Sequence, residues 1–371
     1  MDLIDFFTNY TLRTITLGTA ILGAICGMLG SFAVLRKQSL LGDAISHASL
    51  PGIALAFIIT GVKDPNLILL GALISGLIGT FWIKGITKRT RLKSDTALGL
   101  ILSLFFGLGI LLLTFIQKMP NANQAGLDKY LFGQAATLVE QDVLIMASVT
   151  GVSLIVLLLF WKEFKLLLFD PDYTKTLGFN TRFLDILITF FIVLAIVLGL
   201  QTVGVILMSA MLLAPAAAAR QWTNNLSTMI VLASIFGALS GIFGTAISAT
   251  QNNLSTGPVI VLIAASFVLI SFAFSPSRGL IFREMRFRRN RKELHLKKTL
   301  TFMYRIAQNH DNISHPHAIR ILNNFQGFTK KSLLKLENQE LISLSGKQWA
   351  LTKKGYEEAA SINKKLGKSD D

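Results

Sequence analysis

An aspartate and a histidine lie one helical turn apart in the segment GDAISHASLPG (42–52), within a long apolar part of the sequence. On an α-helix, Asp43 and His47 would project from the same face. A carboxylate oxygen and a neutral imidazole nitrogen are ligands that suit manganese, iron or zinc ions. Ionisable side chains inside a membrane are costly and usually face a bundle interior or a water-filled path. We therefore predict that Asp43 and His47 bind a divalent metal ion. In the structural alternative, Asp43 caps the helix and His47 bonds to a neighbouring helix.

Two ligands from one chain are too few for a transition metal ion. A two-fold dimer would place two Asp43/His47 pairs around one axis and would thereby supply four ligands. Such a set contains no thiolate and would bind an ion weakly enough to release it again. Protonation removes an imidazole from the ligand set, so we expect metal passage to fall in acid.

The elements that carry this pair are predicted to be membrane-spanning helices. The chain of 371 residues is 52% hydrophobic and 15% charged, with a mean hydropathy of +0.56. Several runs of about 18 or more residues are nearly free of charge, which is the length of a bilayer span. We predict an all-α polytopic membrane protein with eight or nine transmembrane helices, at about 14–35, 43–60, 66–86, 96–116, 142–161, 183–202, 203–221, 226–250 and 257–274.

The basic residues predict how these spans are oriented, because Lys and Arg are enriched in cytoplasmic loops. With nine spans every basic cluster falls on the same side, which places the N-terminus outside and the C-terminal part in the cytoplasm. The first residues, MDLIDFFTNY, lack the features of a removable signal peptide. We expect a multi-pass protein of the bacterial plasma membrane. Regularly spaced glycines, such as Gly23 with Gly27 and Gly237 with Gly241, predict closely packed helices.

Two connecting segments are long enough to hold structure of their own. The external segment 121–142 mixes glycine, glutamine and aromatic residues and is predicted to hold a short surface helix. The internal segment 163–185 is amphipathic. Within it we predict a short helix over 172–177, which begins after Asp170 and Pro171 and ends at Gly178.

The charge distribution predicts three parts of the chain. Residues 276–371 contain 20 of the 36 Lys and Arg residues but only 9 of the 21 Asp and Glu residues. We predict a transmembrane domain over 1–280, a basic juxtamembrane linker over 281–292, and a small cytoplasmic domain over 293–371. The linker is expected to set topology and to face membrane lipid.

The cytoplasmic domain is predicted to be similar to a winged helix-turn-helix domain. Three helices are predicted over 296–309, 315–325 and 330–342, followed by a hairpin that turns at 345–347 and a last helix. The third helix would present Lys330, Lys331 and Lys335 to nucleic acid or to a protein partner. We favour a regulatory contact with a protein, because winged helices often serve that purpose. A metal-sensing alternative rests on four scattered histidines, His295, His310, His315 and His317.

Several classes of function lack support in the sequence. We find no P-loop, zincin motif, nucleophile elbow or dinucleotide fingerprint. The single cysteine, Cys26, excludes an internal disulfide and a site built from several thiols. We therefore predict that the chain is not an enzyme and has no tightly bound cofactor. If ATP drives transport, the ATPase must be another subunit.

Three stretches resemble one known family. They are VLRKQSLLGDAISHASLPGIALAF (34–57), FDPDYTKTLGFN (169–180) and GVILMSAMLLAPAAAAR (204–220). They are similar to the permease subunits of manganese, zinc and iron ABC importers of the ABC-3 type, and the resemblance covers about residues 5–280. It implies that two permease chains, identical or sister, pair in the membrane. It also implies an ABC ATPase subunit on each and an extracytoplasmic metal-binding protein that delivers the ion.

The resemblance also implies roles for particular residues. The family's aspartate and histidine that match Asp43 and His47 are implicated in metal passage. The family's coupling segment, which docks in a groove of the ATPase, matches the residues from Asp170 to Gly178. Within it the matching positions are Asp170, Pro171, Asp172 and Gly178.

We expect the permease subunit of an ABC importer that moves Mn, Zn or Fe into the cytoplasm. A permease for a metal chelate such as a siderophore is the first alternative, although a large organic complex needs no Asp43/His47 pair. A membrane-anchored DNA-binding regulator is the second, although anchoring needs one span rather than about nine. An ion-coupled secondary carrier is the third, and the coupling-like segment disfavours it.

Overall fold

The computed structural model describes residues 9–62, 64–118, 133–250, 254–309, 315–324 and 330–366. The chain forms two compact units, Met1–Leu280 and Ile281–Asp371. The first is called the membrane unit below, and the second is called the tail.

The membrane unit is a bundle of helices. Nine helices of the described residues are long and apolar enough to cross a membrane, which confirms the predicted polytopic class. Two further helices of the described residues are short. In chain order the helices are α1 (Tyr10–Leu35), α2 (Leu41–Thr60), α3 (Pro65–Arg89), α4 (Ser94–Gln117), α5 (Glu140–Leu159), α6 (Trp161–Phe169), α7 (Pro171–Thr176), α8 (Thr181–Thr202), α9 (Val205–Trp222), α10 (Leu226–Thr250) and α11 (Thr256–Phe274).

Local sequence signals explain several helix ends. The Asp64 side chain caps α3 by accepting a hydrogen bond from the Asn66 N–H at 2.9 Å, and Pro65 follows at the first helical position. Asn180 caps α8 in the same way through the Phe183 N–H at 3.1 Å. The predicted external helix within 121–142 falls partly outside the described residues. The described part of that segment contains a 3-10 turn, Ala135–Thr137, and the start of α5.

Glycines allow the helices of the membrane unit to approach closely, as predicted. A Cβ added at Gly23 of α1 would overlap the carbonyl of Gly237 in α10, and one at Gly27 would overlap that of Ala233. Gly52 of α2 makes the same kind of contact with Gly71 of α3. Dispersion between closely approaching backbones is a main source of helix association in lipid.

The tail combines helices with a small sheet. Its elements are α12 (Leu280–Ala307), β1 (His317–Ala318), a 3-10 turn (Ile319–Asn324), α13 (Lys330–Asn338), β2 (Ile342–Ser345), β3 (Gln348–Leu351) and α14 (Lys353–Leu366). The strands are antiparallel in the order β1-β3-β2. Trp349, Met303 and Leu336 are fully buried and lie at the centre of the tail's core.

Two parts of the tail differ from the sequence-based prediction. Residues 281–292, predicted as a linker, are helical and continue into the first predicted tail helix as α12. No glycine or proline interrupts 280–307, and Arg and Lys are good helix formers. The helix predicted over 315–325 is wrong: the structure has β1 and a 3-10 turn there, because Ala318 pairs with Gln348 of β3. The predicted hairpin turn is confirmed, with Gly346 at φ 58°.

Candidate metal site

Asp43 and His47 lie side by side in the first two turns of α2. The His47 Nε2 atom is 3.5 Å from the Asp43 Oδ1 atom. The side chains are 13% exposed for His47 and 33% exposed for Asp43. Both can therefore be reached from the open side of α2, while most of the helix is buried against its neighbours.

Among the described residues, neither side chain makes the contacts of the structural alternative. The N-cap of α2 is Leu40, which makes no side-chain capping bond, and Asp43 lies inside the first turn. The His47 ring packs edge-on against Phe106 of α4, with centroids 4.7 Å apart. Its Nδ1 atom is buried without a hydrogen-bond partner among the described residues. Such an unsatisfied buried group is unusual in a purely structural role.

No third ligand accompanies the pair within the part of the chain that the structure describes. No group of three or more His, Cys, Asp or Glu side chains occurs there. The nearby hydroxyls are engaged locally, since Ser46 donates to the Gly42 carbonyl at 2.7 Å and Ser49 to that of Ile45 at 2.9 Å. The thioether groups of Met208 and Met211, which are soft metal ligands in principle, belong to side chains that are fully buried. In the described part of the chain, Asp43 and His47 are thus the only two such side chains that lie together at this place on α2.

An open apolar groove lies along α4, the helix whose Phe106 packs against His47. The groove has a volume of about 680 Å³ and lies between α2 and α4. In the most apolar 18-residue stretch of α4, only 22% of the residues are buried, compared with 67% in the corresponding stretch of α2. Its lining residues are Leu55, Ser103, Leu104, Gly107, Leu108, Leu111 and Leu112.

The segment from Asp170 to Gly178 forms the predicted short helix, α7. The Asp170 side chain accepts a hydrogen bond from the Tyr173 N–H at 2.9 Å, and Pro171 occupies the first helical position. Lys175 forms an exposed ion pair with Asp172 at 2.9 Å. Gly178 ends the turn with φ 85°, a conformation that favours glycine.

An apolar surface accompanies α7. Phe169, Tyr173, Leu177 and Phe179 are each between 39% and 58% exposed. Thr174 alone in the helix is buried, and its hydroxyl donates to the Asp170 carbonyl at 2.7 Å. The segment therefore projects several large side chains that no described residue covers.

Comparison with known proteins agrees with this architecture. The family model of the ABC 3 transport family matches residues 8–275. The chain belongs to this family. It is therefore the permease subunit of an ABC transporter and not an enzyme, and ATP hydrolysis resides on a separate subunit.

Two curated relatives of the permease differ in how much of it they match. The "Zinc transport system membrane protein TroC" of Treponema pallidum is 49% identical over 287 residues, which are 77% of this chain and 96% of that protein. The "Manganese transport system membrane protein MntC" of Bacillus subtilis is 43% identical over 342 residues, 92% of this chain and 79% of that protein. An alignment of that length exceeds the membrane unit, so it includes residues of the tail.

Solved structures share the fold of the permease. PsaBC from Streptococcus pneumoniae, determined in complex with a Fab, aligns with a TM-score of 0.67 and 34% identity. The alignment covers 77% of this chain and 98% of the PsaBC chain. An inward-facing structure of a putative metal-chelate type ABC transporter aligns with a TM-score of 0.56 at 16% identity, which supports the fold alone.

The sequence does not predict an ion cluster at the start of α8. Asp185, in the second turn of α8, accepts hydrogen bonds from Arg36 at 2.8 Å and from Lys84 at 2.7 Å. Burial lowers the pKa of the Arg36 guanidinium, and the Asp185 carboxylate raises it. The cluster joins the end of α1 to α3 and α8. The one sequence feature that points to this cluster is that Arg36, Lys84 and Asp185 all lie at the predicted cytoplasmic ends of their spans.

The three tail lysines singled out from the sequence lie on one short helix of the permease. Lys330 begins α13, and Lys331 and Lys335 are exposed one turn apart. Of the four tail histidines, His310 lies outside the described residues. The rings of His315 and His317 are 5.3 Å apart, and His317 packs against Trp349 at 4.9 Å. No group of three metal-ligating side chains includes them in the described ranges.

Proposed function

We propose that this permease moves a divalent transition metal ion, Mn, Zn or Fe(II), into the cytoplasm along a path that includes Asp43 and His47. The observation that carries the proposal is the pairing of a carboxylate and an imidazole, 3.5 Å apart, in a membrane helix that contains no other ionisable side chain. A bare divalent cation meets a severe barrier in lipid, and these groups would replace part of its hydration shell. The names of the zinc and manganese relatives support this substrate class.

A second permease chain would complete the site. The single chain provides two ligands, and the side of α2 that bears them is open. Pairing about a two-fold axis along α2 and α4 would bring two Asp43/His47 pairs together and cover the apolar groove. The partner is either another copy of this chain or a sister permease.

The ATPase subunit would dock on α7. Its exposed apolar residues, Tyr173 and Leu177 among them, provide the contact surface, and Asp170 and Gly178 fix the shape of the turn. Pro171 and Asp172 lie between these two residues and belong to the same proposed docking segment. By the positive-inside rule, this segment and the tail would both lie in the cytoplasm. An extracytoplasmic metal-binding protein would deliver the ion from the other side.

Metal uptake into sealed vesicles tests the pathway. The vesicles contain this permease, its ATPase and its binding protein, and receive Mn, Zn and Fe(II) in separate experiments. Asp43→Ala and His47→Ala should each lower the uptake of one metal at least tenfold, while the complex still assembles. Asp64→Asn is the matched control, because Asp64 caps α3 and asparagine caps helices equally well.

The outcomes separate the proposed substrate from the alternative. Loss of uptake in both variants, with the control unchanged, identifies the pair as pathway ligands and names the metal. Full uptake in both variants overturns the proposal and favours a permease for a metal chelate, in which the ion keeps its own ligands.

ATPase docking has a test of its own. Tyr173→Ala with Leu177→Ala should reduce co-purification of the ATPase, since both residues belong to the exposed apolar surface of α7. Lys175→Ala is the control, because its ion pair with Asp172 is exposed and exposed pairs contribute little. Unchanged co-purification in the double variant would refute docking at α7.

For the tail we propose a regulatory contact with a protein subunit, with Lys331 and Lys335 at the surface involved. The alternative is nucleic-acid binding through the same lysines. A gel-shift experiment with the full-length permease and duplex DNA distinguishes the two. Sequence-specific retention that falls in Lys331→Ala/Lys335→Ala would establish the DNA-binding role and overturn the protein-contact proposal.

A further inference from the structure

The first turns of α12 are exposed and basic. Every side chain described from Leu280 to Arg291 is exposed, and the segment 280–293 contains six Arg or Lys residues and two Glu residues. Large apolar side chains are exposed among them: Ile281, Phe282, Met285 and Phe287. Exposed cations interleaved with exposed apolar groups are typical of a segment at a lipid surface.

The chain itself keeps the start of α12 near the ends of the spans. Five residues, 275–279, connect α11 to α12, and such a segment reaches at most about 18 Å. Within this segment, Ser275 donates a hydrogen bond to the carbonyl of Gln221 in the last turn of α9. Arg278 donates to Asn224 at 2.8 Å. The basic turns therefore begin within reach of lipid headgroups.

A groove in the tail lies beside these basic turns. It has a volume of about 490 Å³ and lies between α12, α13 and α14. Its floor is apolar and its rim is charged, with four cations and two carboxylates. The floor includes Leu296, Leu300, Leu336, Leu341 and Ile362, and the exposed Met285 also lines the groove. The charged lining residues are Arg288, Arg289, Lys297, Lys335, Glu293 and Glu358.

Most of the cations at the rim have no ion pair. Arg288 is paired with Glu284 at 2.8 Å, and both side chains are more than half exposed. Arg289, Lys297 and Lys335 form no ion pair with a carboxylate in the described ranges. Unpaired positive charge above an apolar floor matches a ligand with one anionic group and an apolar body.

We propose that this groove binds an anionic phospholipid of the leaflet that faces the tail. The phosphate would lie among Arg289, Lys297 and Lys335, and the glycerol backbone and upper acyl chain would lie on the apolar floor. The two rim carboxylates, Glu293 and Glu358, disfavour a polyanion such as nucleic acid. The proposal extends beyond metal transport and does not depend on which metal is carried.

Hydrogen–deuterium exchange on the full-length permease in nanodiscs tests the site. One set of nanodiscs contains phosphatidylcholine alone, and the other contains phosphatidylcholine with phosphatidylglycerol of the same acyl chains. Phosphatidylglycerol should slow exchange in α12 and α13. Arg289→Gln/Lys335→Gln should abolish this protection, because two lost cations at a lipid surface weaken binding about 30-fold.

A matched control separates a defined site from general charge attraction. Arg283→Gln/Lys353→Gln removes one Arg from α12 and one exposed Lys from α14 but alters no residue that lines the groove. The control should retain the protection. Equal loss in both double variants overturns the groove as a site.

Two competitors identify the ligand class. Glycerol phosphate, which has the headgroup chemistry without acyl chains, should not displace the lipid. If it restores exchange at millimolar concentration, the site binds a free phosphate and the lipid proposal is wrong. If duplex DNA protects the same peptides and phosphatidylglycerol does not, the groove binds nucleic acid and the lipid proposal is again wrong.

Discussion

The Asp185 carboxylate accepts a hydrogen bond from the Lys84 ammonium at 2.7 Å, across the packed helices α8 and α3. Its other oxygen accepts from Arg36 at the end of α1. Asp185 follows Gly178 by seven residues, and Arg36 precedes Asp43 by seven. One carboxylate therefore links the helix after the proposed ATPase-docking segment to the helix end before the proposed metal ligands.

Replacing Asp185 by Asn should destabilise the membrane unit by about 1–3 kcal/mol, because two partly buried cations lose their charged acceptor. Reversible unfolding of the permease in detergent measures this. Asp95→Asn is the control, since Asp95 is exposed and should change stability by no more than about 0.5 kcal/mol. The cluster is energetically unimportant if the two variants unfold alike.

Lys37 adopts a backbone conformation that favours glycine. Its φ is 58°, and it ends α1 in a Schellman motif, in which the Gln38 N–H donates to the Ala33 carbonyl at 3.1 Å. Lys37→Gly should raise the free energy of unfolding by about 0.5–1 kcal/mol, because glycine relieves this strain. Lys37→Val should lower it. Reversible unfolding in detergent measures both variants. If the valine variant is more stable than the wild type, the backbone at Lys37 is not strained.

Close contact between α1 and α10 makes Gly237 sensitive to a single methyl group. A Cβ there would overlap Gly23, so Gly237→Ala should destabilise the bundle by about 1–3 kcal/mol. Gly85→Ala is the matched control, because nothing lies within 4 Å of a Cβ at that position of α3. It should stabilise the helix by about 0.5–1 kcal/mol. Effects of the same sign in thermal unfolding would argue against close packing as the cause.

Much of the fold follows from local sequence signals. Charge-free runs and the basic residues between them predict the spans, and the Asp170-Pro171 pair predicts the start of α7. The tail was harder to predict. The basic residues predict a linker although they also favour the long helix α12, and β1 exists only because β3 pairs with it. Long-range pairing overrides the propensity of so short a segment.

The candidate site divides in the same way. Helical spacing alone predicts that Asp43 and His47 are neighbours. Other contacts join residues far apart in sequence, and no local pattern specifies them. His47 meets Phe106, and Asp185 meets Arg36 from a position 149 residues away. Such partners are determined by how the helices pack.

Trp349 provides a test of how the tail is held together. Its side chain is fully buried, stacks near His317 and lies in β3 between the two other strands. Trp349→Ala should cost about 3–5 kcal/mol, which is a large part of the stability of so small a unit. Limited proteolysis of the full-length permease should then release tail fragments while the membrane unit stays intact.

Trp349→Phe separates packing from hydrogen bonding. The indole Nε1 atom is buried without a partner among the described residues, so phenylalanine loses no hydrogen bond and keeps most of the ring contacts. Its tail should resist proteolysis nearly as well as the wild type. Leu334→Ala is an exposed control on α13 and should have little effect. If all three variants are cleaved at the same rate, the protease acts on exposed loops of the folded tail. The packing of Trp349 would then not determine how fast the tail is cleaved.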